Sequence, residues 1–186
     1  MTRVFVAVTL PDAAVTALAT AITPLRERHS DLRWVRPSRW HLTLAFLGEL
    51  SIAGRMRARQ ALQRATAHTP PLEMTLPGRV GRFGNRVLWA AVDTGADDAL
   101  ASFVAALRRE LSVAGVSYDE RPFRAHVTLA RDGGRRRLPR PGLLTAPGLP
   151  CVCPVTQVAL MASDPGGGNG YRTLATWPLR GGARDA

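Results

Sequence analysis

Two five-residue segments that differ at a single position lie in opposite halves of this chain. Residues 41–45 read HLTLA and residues 126–130 read HVTLA, so two of the four histidines stand in the same local context. Side chains alternate between the two faces of a strand, so the His and Thr of each segment share one face while the apolar residues between them point into packing. If the two polar faces oppose each other, a cleft between them holds two imidazoles and two hydroxyls.

Such a cleft suits acid–base chemistry on a phosphodiester. His41 and His126, with an ordinary pKa of ~6.5, can work at neutral pH as one base and one acid. Hydrolysis requires both, because one group deprotonates the attacking water and the other protonates the departing oxygen. The hydroxyls of Thr43 and Thr128 can hydrogen-bond the nonbridging oxygens. This scheme requires no metal and no cofactor.

Other interpretations of these residues are weaker. A lone His-x-Thr on a strand is usually structural, and no carboxylate or third histidine accompanies the pair at metal-ligand spacing. A GxSxG nucleophile elbow is absent from the sequence. Cys151 and Cys153 lack the second pair of ligands that zinc needs, so they are predicted to pack as apolar residues. His29 and His68 fall near helix ends and are predicted to be solvated.

The charge balance favours an anionic partner. The chain has 25 basic and 14 acidic residues, a formal net charge of +11, and every basic residue is arginine. A GC-rich genome would favour arginine over lysine, but it would not explain the excess over carboxylates. A nucleic-acid or phosphate partner is therefore predicted.

The chain length of 186 residues fits one domain, spanning 1–186 and built as two lobes. No apolar run approaches the roughly 20 residues that cross a bilayer. The segment MTRVFVAVTLPDAA resembles a first strand more than a signal peptide. We expect a cytoplasmic monomer without a membrane segment.

Hydrophobic periodicity predicts the order β-α-β-α-β-β-α-β-β-β. The predicted strands cover residues 3–10, 41–47, 72–83, 86–92, 123–131, 155–163 and 171–179, with a short strand at 33–35. Helices are predicted after Pro11, from Ser51 to about His68 with Ile52, Met56 and Leu62 inward, and from Asp97 to before Gly115. Residues 132–150, with Arg135, Arg136 and Arg137, are predicted to be a flexible basic loop.

Because strands come in adjacent pairs as well as across helices, the pattern favours an α+β fold over a doubly wound one. We expect a bilobal protein with two mainly antiparallel sheets and flanking helices around a central cleft. The two HxT segments would be related by a pseudo-two-fold axis.

The sequence resembles the two-histidine (2H) phosphoesterases, whose hallmark is a pair of HxTx motifs. Within them it is most similar to the RNA 2',3'-cyclic phosphodiesterases, formerly described as 2'-5' RNA ligases. The resemblance covers nearly the whole chain, from RVFVAVTLPD through WVRPSRWHLTLAFLGE, RVLWAAV and FRAHVTLAR to YRTLATWPL.

The resemblance implies metal-independent hydrolysis of RNA 2',3'-cyclic phosphates to 2'-phosphomonoesters. His41 would be the proton donor and His126 the proton acceptor, while Thr43 and Thr128 would hold the phosphate. The implied partners are RNA with a 2',3'-cyclic phosphate or a 2'-5' linkage, and nucleotides. Weak 2'-5' ligation could accompany hydrolysis as the reverse reaction.

Four further residues are candidate substrate contacts. Phe46 corresponds to an aromatic residue that the family often carries and could stack on a base, although strand alternation turns it toward the core. Strand alternation also turns Arg131 away from the face of His126, but a strand end or a bulge could redirect it to the phosphate. Arg39 and Arg124, each two residues before a histidine, have the alternation that phosphate contact requires.

Two alternative functions stay open at this point. An RNA-binding module with an idle site would bind RNA but leave cyclic ends unchanged. A cyclic phosphodiesterase of small nucleotides would keep the same chemistry on a different substrate.

Overall fold

The structure, a computed structural model, describes residues 3–132, 138–163 and 170–181. Within them the helices are α1 (Asp12–Arg28), α2 (Ile52–Ala67) and α3 (Ala99–Val113). The strands are β1 (Arg3–Thr9), β2 (Arg33–Trp34), β3 (His41–Glu49), β4 (Leu72–Leu76), β5 (Arg79–Phe83), β6 (Val87–Ala91), β7 (His126–Arg131), β8 (Gly142–Leu143), β9 (Cys151–Val155), β10 (Gln157–Ser163) and β11 (Tyr171–Pro178).

The main sheet runs in the order β11-β10-β1-β3-β7-β6-β5-β8, with β2 paired to β7, and every pair is antiparallel. Strands β4 and β9 form a separate two-stranded sheet. The α+β prediction is confirmed. The two halves of the main sheet are continuous, since β3 and β7 are joined where Leu42 pairs with Val127.

The core lies between the main sheet and the helices. Helix α3 contributes one apolar stripe to it, whose five residues at helical spacing are all buried: Leu100, Phe103, Val104, Leu107 and Leu111. A smaller buried cluster forms on the opposite face of the sheet and consists of Phe5, Ala7, Ala159 and Met161. Strand β1, whose five central residues are all buried, is therefore covered on both faces.

Helix α2 has its predicted bounds and its predicted Ser51 cap, whose hydroxyl accepts the Gly54 N–H at 3.1 Å. The prediction for its inward face was wrong for Ile52 and Met56, which are 82% and 55% exposed, and is confirmed for Leu62, which is buried. The rest of the buried face consists mainly of small side chains, namely Ala58, Ala61 and Ala65. Because α2 packs against α3, a face of alanines lets the two helices approach closely.

The predicted strand 72–83 is two strands, which belong to different sheets. The chain turns at Gly78, where φ is +78° and a Cβ would lie 2.7 Å from the Leu144 carbonyl oxygen, so only glycine fits. Strand β9, which pairs with β4, was not predicted. It carries Cys151 and Cys153 as free thiols, and burial of Cys153 raises the pKa of its thiol to about 12.

The predicted loop 132–150 is described only in part. Residues 133–137, which include its three consecutive arginines, lie outside the described residues. Residues 142–143 form β8 at the edge of the main sheet, paired with β5. The flexibility of the loop stays a prediction. In the described part of the chain, no helix is long and apolar enough to cross a membrane.

Candidate active site

The four motif side chains meet where the two halves of the sheet join. Leu42 and Val127 are buried in the core beneath the sheet and pair across β3 and β7. In antiparallel strands the neighbours of such a pair also lie opposite each other, and their side chains take the other face. This register places His41 beside Thr128, and equally the His of the second motif beside the Thr of the first. All four side chains are half-buried on the face opposite the helices.

Each motif strand also contains a β-bulge directly after its threonine. Leu44 has no partner on β1, although the residues on either side of it do. Leu129 likewise has no partner on β6. An extra residue in one strand reverses the alternation of the side chains that follow it, so both leucines are buried together with the alanine next to them.

The bulges overturn the alternation argument for Phe46 and Arg131. The residue five positions after each histidine returns to the histidine face. Phe46 is accordingly 46% exposed instead of buried, with its ring 5.9 Å from that of Phe5 on the site face. Arg131 is exposed, and its charge acts on the imidazoles of both His41 and His126. Both candidates therefore lie on the face of the histidines, and for Arg131 a bulge removes the conflict with strand alternation, one of the two possibilities that the sequence allowed. Contact of either side chain with a substrate stays a prediction.

His41 lies against two aromatic rings of the first half. Its ring stacks on Phe5 with centroids 5.0 Å apart and meets the edge of Tyr171 at 5.1 Å. Phe5 is 3% exposed, whereas Tyr171 is 37% exposed. The imidazole is thus held by a buried ring beneath it and a partly exposed ring at its side.

His126 has a matching aromatic wall in the second half. Its ring lies edge-on to Phe83 at 4.9 Å and to Trp89 at 6.4 Å. The indole of Trp89 lies directly over Gly81, where an added Cβ would come within 2.3 Å of the ring. The residue Gly81 therefore provides the space in which Trp89 packs beside the histidine.

These four aromatic residues were not predicted as site residues. Each lies on a strand that is brought to the site by pairing within the sheet. Its position in the sequence, far from the motifs, therefore gave no indication that it is a site residue. The sequence indicated two of them only through the aromatic residues in RVFVAVTL and RVLWAAV, the strands that flank the two motifs.

Both histidines are oriented by the same backbone contact. The Nδ1–H of His41 donates to the carbonyl oxygen of Arg39, and that of His126 donates to the carbonyl oxygen of Arg124, each at 2.7 Å. In the neutral ring this leaves Nε2 as the free nitrogen. Arg39 and Arg124 thus contribute backbone oxygens, whereas contact of their side chains with phosphate stays a prediction.

The site lowers the pKa of both imidazoles. Burial is the main cause of the lowered pKa of His41, and the positive charges of Arg131 and His126 add to it, against the opposing effect of the Arg39 carbonyl. Burial also lowers the pKa of His126, with Arg131 adding to it and the Arg124 carbonyl opposing it. A cationic guanidinium beside two imidazoles that resist protonation makes the site receptive to an anion.

Across residues 3–132, 138–163 and 170–181, no three His, Cys, Asp or Glu side chains are grouped so that they could hold a metal ion. The arrangement can hold an anion between two imidazoles, two hydroxyls and one guanidinium. It can also move one proton at each side of that anion.

The fold and the paired HxT motifs are those of an α+β protein of the 2H phosphoesterase class. The family model described as "2'-5' RNA ligase superfamily" matches residues 11–167, and the chain belongs to that superfamily. The resemblance inferred from the two HxT segments is thereby confirmed.

Two relatives share the description "RNA 2',3'-cyclic phosphodiesterase". The protein of Geobacillus stearothermophilus is 30% identical over 157 residues, which cover 80% of this chain and 48% of that protein. The protein of Thermotoga maritima is 31% identical over 133 residues, which cover 69% of each chain. The chain thus spans about half the length of the first relative and about two thirds of the second.

Solved structures agree over nearly the whole chain. TT0787 of Thermus thermophilus superposes with a TM-score of 0.78 at 29% identity and covers 96% of this chain and 98% of that one. Escherichia coli LigT complexed with 3'-AMP superposes with a TM-score of 0.72 at 28% identity and covers 95% and 97%.

Proposed function

We propose that this protein hydrolyses RNA 2',3'-cyclic phosphate ends to 2'-phosphomonoesters by general acid–base catalysis with its two histidines. The observation that carries the proposal is the pairing of Leu42 with Val127, which places an imidazole and a hydroxyl from each motif around one point. The activity for which the two relatives are named supports the substrate class, and the nucleotide bound to the LigT structure supports nucleotide recognition.

The bound phosphodiester carries one negative charge and lies between the two motifs. The hydroxyls of Thr43 and Thr128 donate hydrogen bonds to its nonbridging oxygens, and Arg131 offsets its charge. These donors are positioned before the substrate arrives, so they stabilise the additional charge that develops as water attacks phosphorus.

The proton transfers follow from the product. Nε2 of His126 accepts a proton from water as the water oxygen bonds to phosphorus. The bond from phosphorus to the 3' oxygen breaks, and that oxygen takes a proton from Nε2 of His41, which leaves the phosphate on the 2' oxygen. Proton exchange with solvent then returns both rings to their starting states. If the 5' hydroxyl of a second RNA took the place of water, the same steps would leave phosphorus bonded to the 2' oxygen and to that 5' oxygen, which would join 2'-5' ends as a weak side reaction.

The electrostatics of the site couple protonation to substrate binding. In the free protein, burial, Arg131 and the second imidazole lower the pKa of His41, so its acidic form is disfavoured. An anion placed between the motifs offsets those positive charges and raises the pKa of both imidazoles. The general acid is therefore charged most readily when its substrate is bound.

The direct test uses an oligonucleotide that ends in a 2',3'-cyclic phosphate, in the presence of EDTA. His41→Ala and His126→Ala should each abolish hydrolysis while circular dichroism shows a folded protein, and His68→Ala, an exposed cap of α2, should keep full activity. Full activity of either motif variant would refute the mechanism. Tight RNA binding without any hydrolysis by the wild type would indicate an RNA-binding module instead.

The two roles are separated by a substrate whose 3' bridging oxygen is replaced by sulfur. A thiolate leaves without a proton, so this substrate no longer requires a general acid. Activity lost in His41→Ala should be largely restored on it, whereas His126→Ala should stay inactive. The opposite pattern would exchange the two roles.

A further inference from the structure

A second basic site lies on the other face of the hairpin that forms one wall of the active site. A cavity of about 710 Å³ is lined at the tip of β5 and β6 by Arg82 and Asn85, and at the end of α1 by Arg28 and His29. Arg140 lines it from the segment that leads into β8. The volume is in the range of ordinary ligand sites.

The chemistry of the cavity selects an anion. Three of its described lining residues are arginines, and none of the lining residues that the structure describes is a carboxylate. All three arginines are exposed, so their guanidinium groups are accessible to a ligand. The C-terminal end of α1 brings only about half a negative charge, far less than three guanidinium groups supply.

The position of the cavity connects it with the active site. Along β5, Arg82 lies between Gly81, which supports Trp89, and Phe83, whose ring contacts His126. Because neighbouring side chains of a strand take opposite faces, the guanidinium of Arg82 and the aromatic wall of His126 are separated only by the thickness of the hairpin. A nucleic-acid chain whose end lies in the active site could pass over the hairpin tip and continue into the cavity.

We propose that this cavity binds the phosphodiester backbone of the RNA that precedes the cyclic end. The proposal rests on the function proposed above, since the chain end must lie between the two histidines. A mononucleotide is too short to reach the cavity, so the cavity would make the protein prefer oligonucleotides. Arginine is suited to this contact, because its planar fork pairs with phosphate oxygens without reading the base.

The test compares two substrates with the same cyclic end, a mononucleotide and a hexanucleotide. In the double variant Arg82→Gln/Arg140→Gln, kcat/KM for the hexanucleotide should fall about five- to tenfold, with a salt dependence weaker by about one unit of slope per arginine. The value for the mononucleotide should stay unchanged. Arg57→Gln/Arg109→Gln, on exposed faces of α2 and α3, is the matched control and should change neither value.

Equal losses on both substrates, or no loss on the hexanucleotide, would overturn the proposal. The failure of the proposed function has a different signature, since wild-type protein would then turn over neither substrate. In that case fluorescence anisotropy with a hexanucleotide that ends in a 3'-phosphate still tests the cavity. Unchanged affinity in the double variant would refute RNA binding there.

Discussion

Leu42 of the first motif pairs with Val127 of the second, and these two residues occupy the same position in their respective motifs. A two-fold relation therefore passes between them and brings each histidine beside the threonine of the other motif. The relation does not extend to the residues after the bulges, where one half carries Phe46 and the other Arg131. The backbone is similar in the two halves, whereas these two side chains make one end of the site aromatic and the other cationic.

Removal of either motif hydroxyl should slow the chemical step. Thr43→Val and Thr128→Val keep the shape of the side chain but remove one donor to the phosphate, so we expect kcat to fall about 10²-fold in each. Thr→Ser at the same positions retains the hydroxyl and should preserve most activity. Wild-type kcat in either valine variant would show that its hydroxyl does not contact the phosphate.

Arg131→Gln should raise the pKa of both active-site imidazoles. Its guanidinium lowers the pKa of His41 and of His126, so a neutral side chain at this position removes an unfavourable charge. NMR titration of the imidazole protons measures both shifts, and kcat/KM should fall because the phosphate loses a cationic partner. Arg109→Gln on α3 is the control. A lowered or unchanged pKa would contradict the placement of Arg131.

The pH profile of kcat/KM should have its maximum on the acid side of neutrality. This quantity reports on the free protein, where burial holds the pKa of both histidines below the ordinary ~6.5. As pH rises above the pKa of His41, the protonated acid is lost and kcat/KM falls. As pH drops below the pKa of His126, the base is lost. The kcat profile, which reports on the complex, should be displaced toward higher pH. Coincident profiles would refute the coupling to substrate.

Phe46→Ala should weaken substrate binding far more than it weakens the fold. A stacked base contributes about 1–3 kcal/mol, so kcat/KM should fall roughly 5- to 150-fold, whereas loss of a half-exposed ring costs little in the free energy of unfolding. Phe46→Tyr retains a stacking surface and serves as the control. Urea unfolding together with kinetics separates the two effects. A large loss of stability with unchanged kcat/KM would show that Phe46 packs in the core and does not bind the substrate.

Gly81→Ala should impair catalysis although residue 81 touches no substrate. The added methyl group would lie 2.3 Å from the indole, so Trp89 must move, and the wall beside His126 moves with it. We expect a fall in kcat of about tenfold or more from the displaced imidazole. Trp89→Phe/Gly81→Ala supplies a smaller ring and should recover part of the loss. Unchanged kcat in the single variant would show that the indole does not position the histidine.

Sequence reasoning reached the parts of this protein that depend on local pattern. The α3 stripe and the two HxT faces follow from periods of 3.6 and 2 in the sequence, and β1 follows from its continuous apolar run. The bulges at Leu44 and Leu129 depend on pairing with a neighbouring strand, so the local sequence pattern does not predict them. Of the buried face of α2 only Leu62 was predicted, because the rest of the contact is made mainly of alanines, which periodicity ranks below Ile52 and Met56.

The aromatic partners of the two histidines have a practical consequence. An imidazolium quenches indole fluorescence, and Trp89 lies 6.4 Å from the ring of His126. His41 instead contacts Phe5 and Tyr171, and the neighbouring Trp40 is buried in the core on the other side of the sheet. Emission from Trp89 should therefore follow the charge of the second histidine alone, so the protein carries a built-in optical reporter for one of its two acid–base groups.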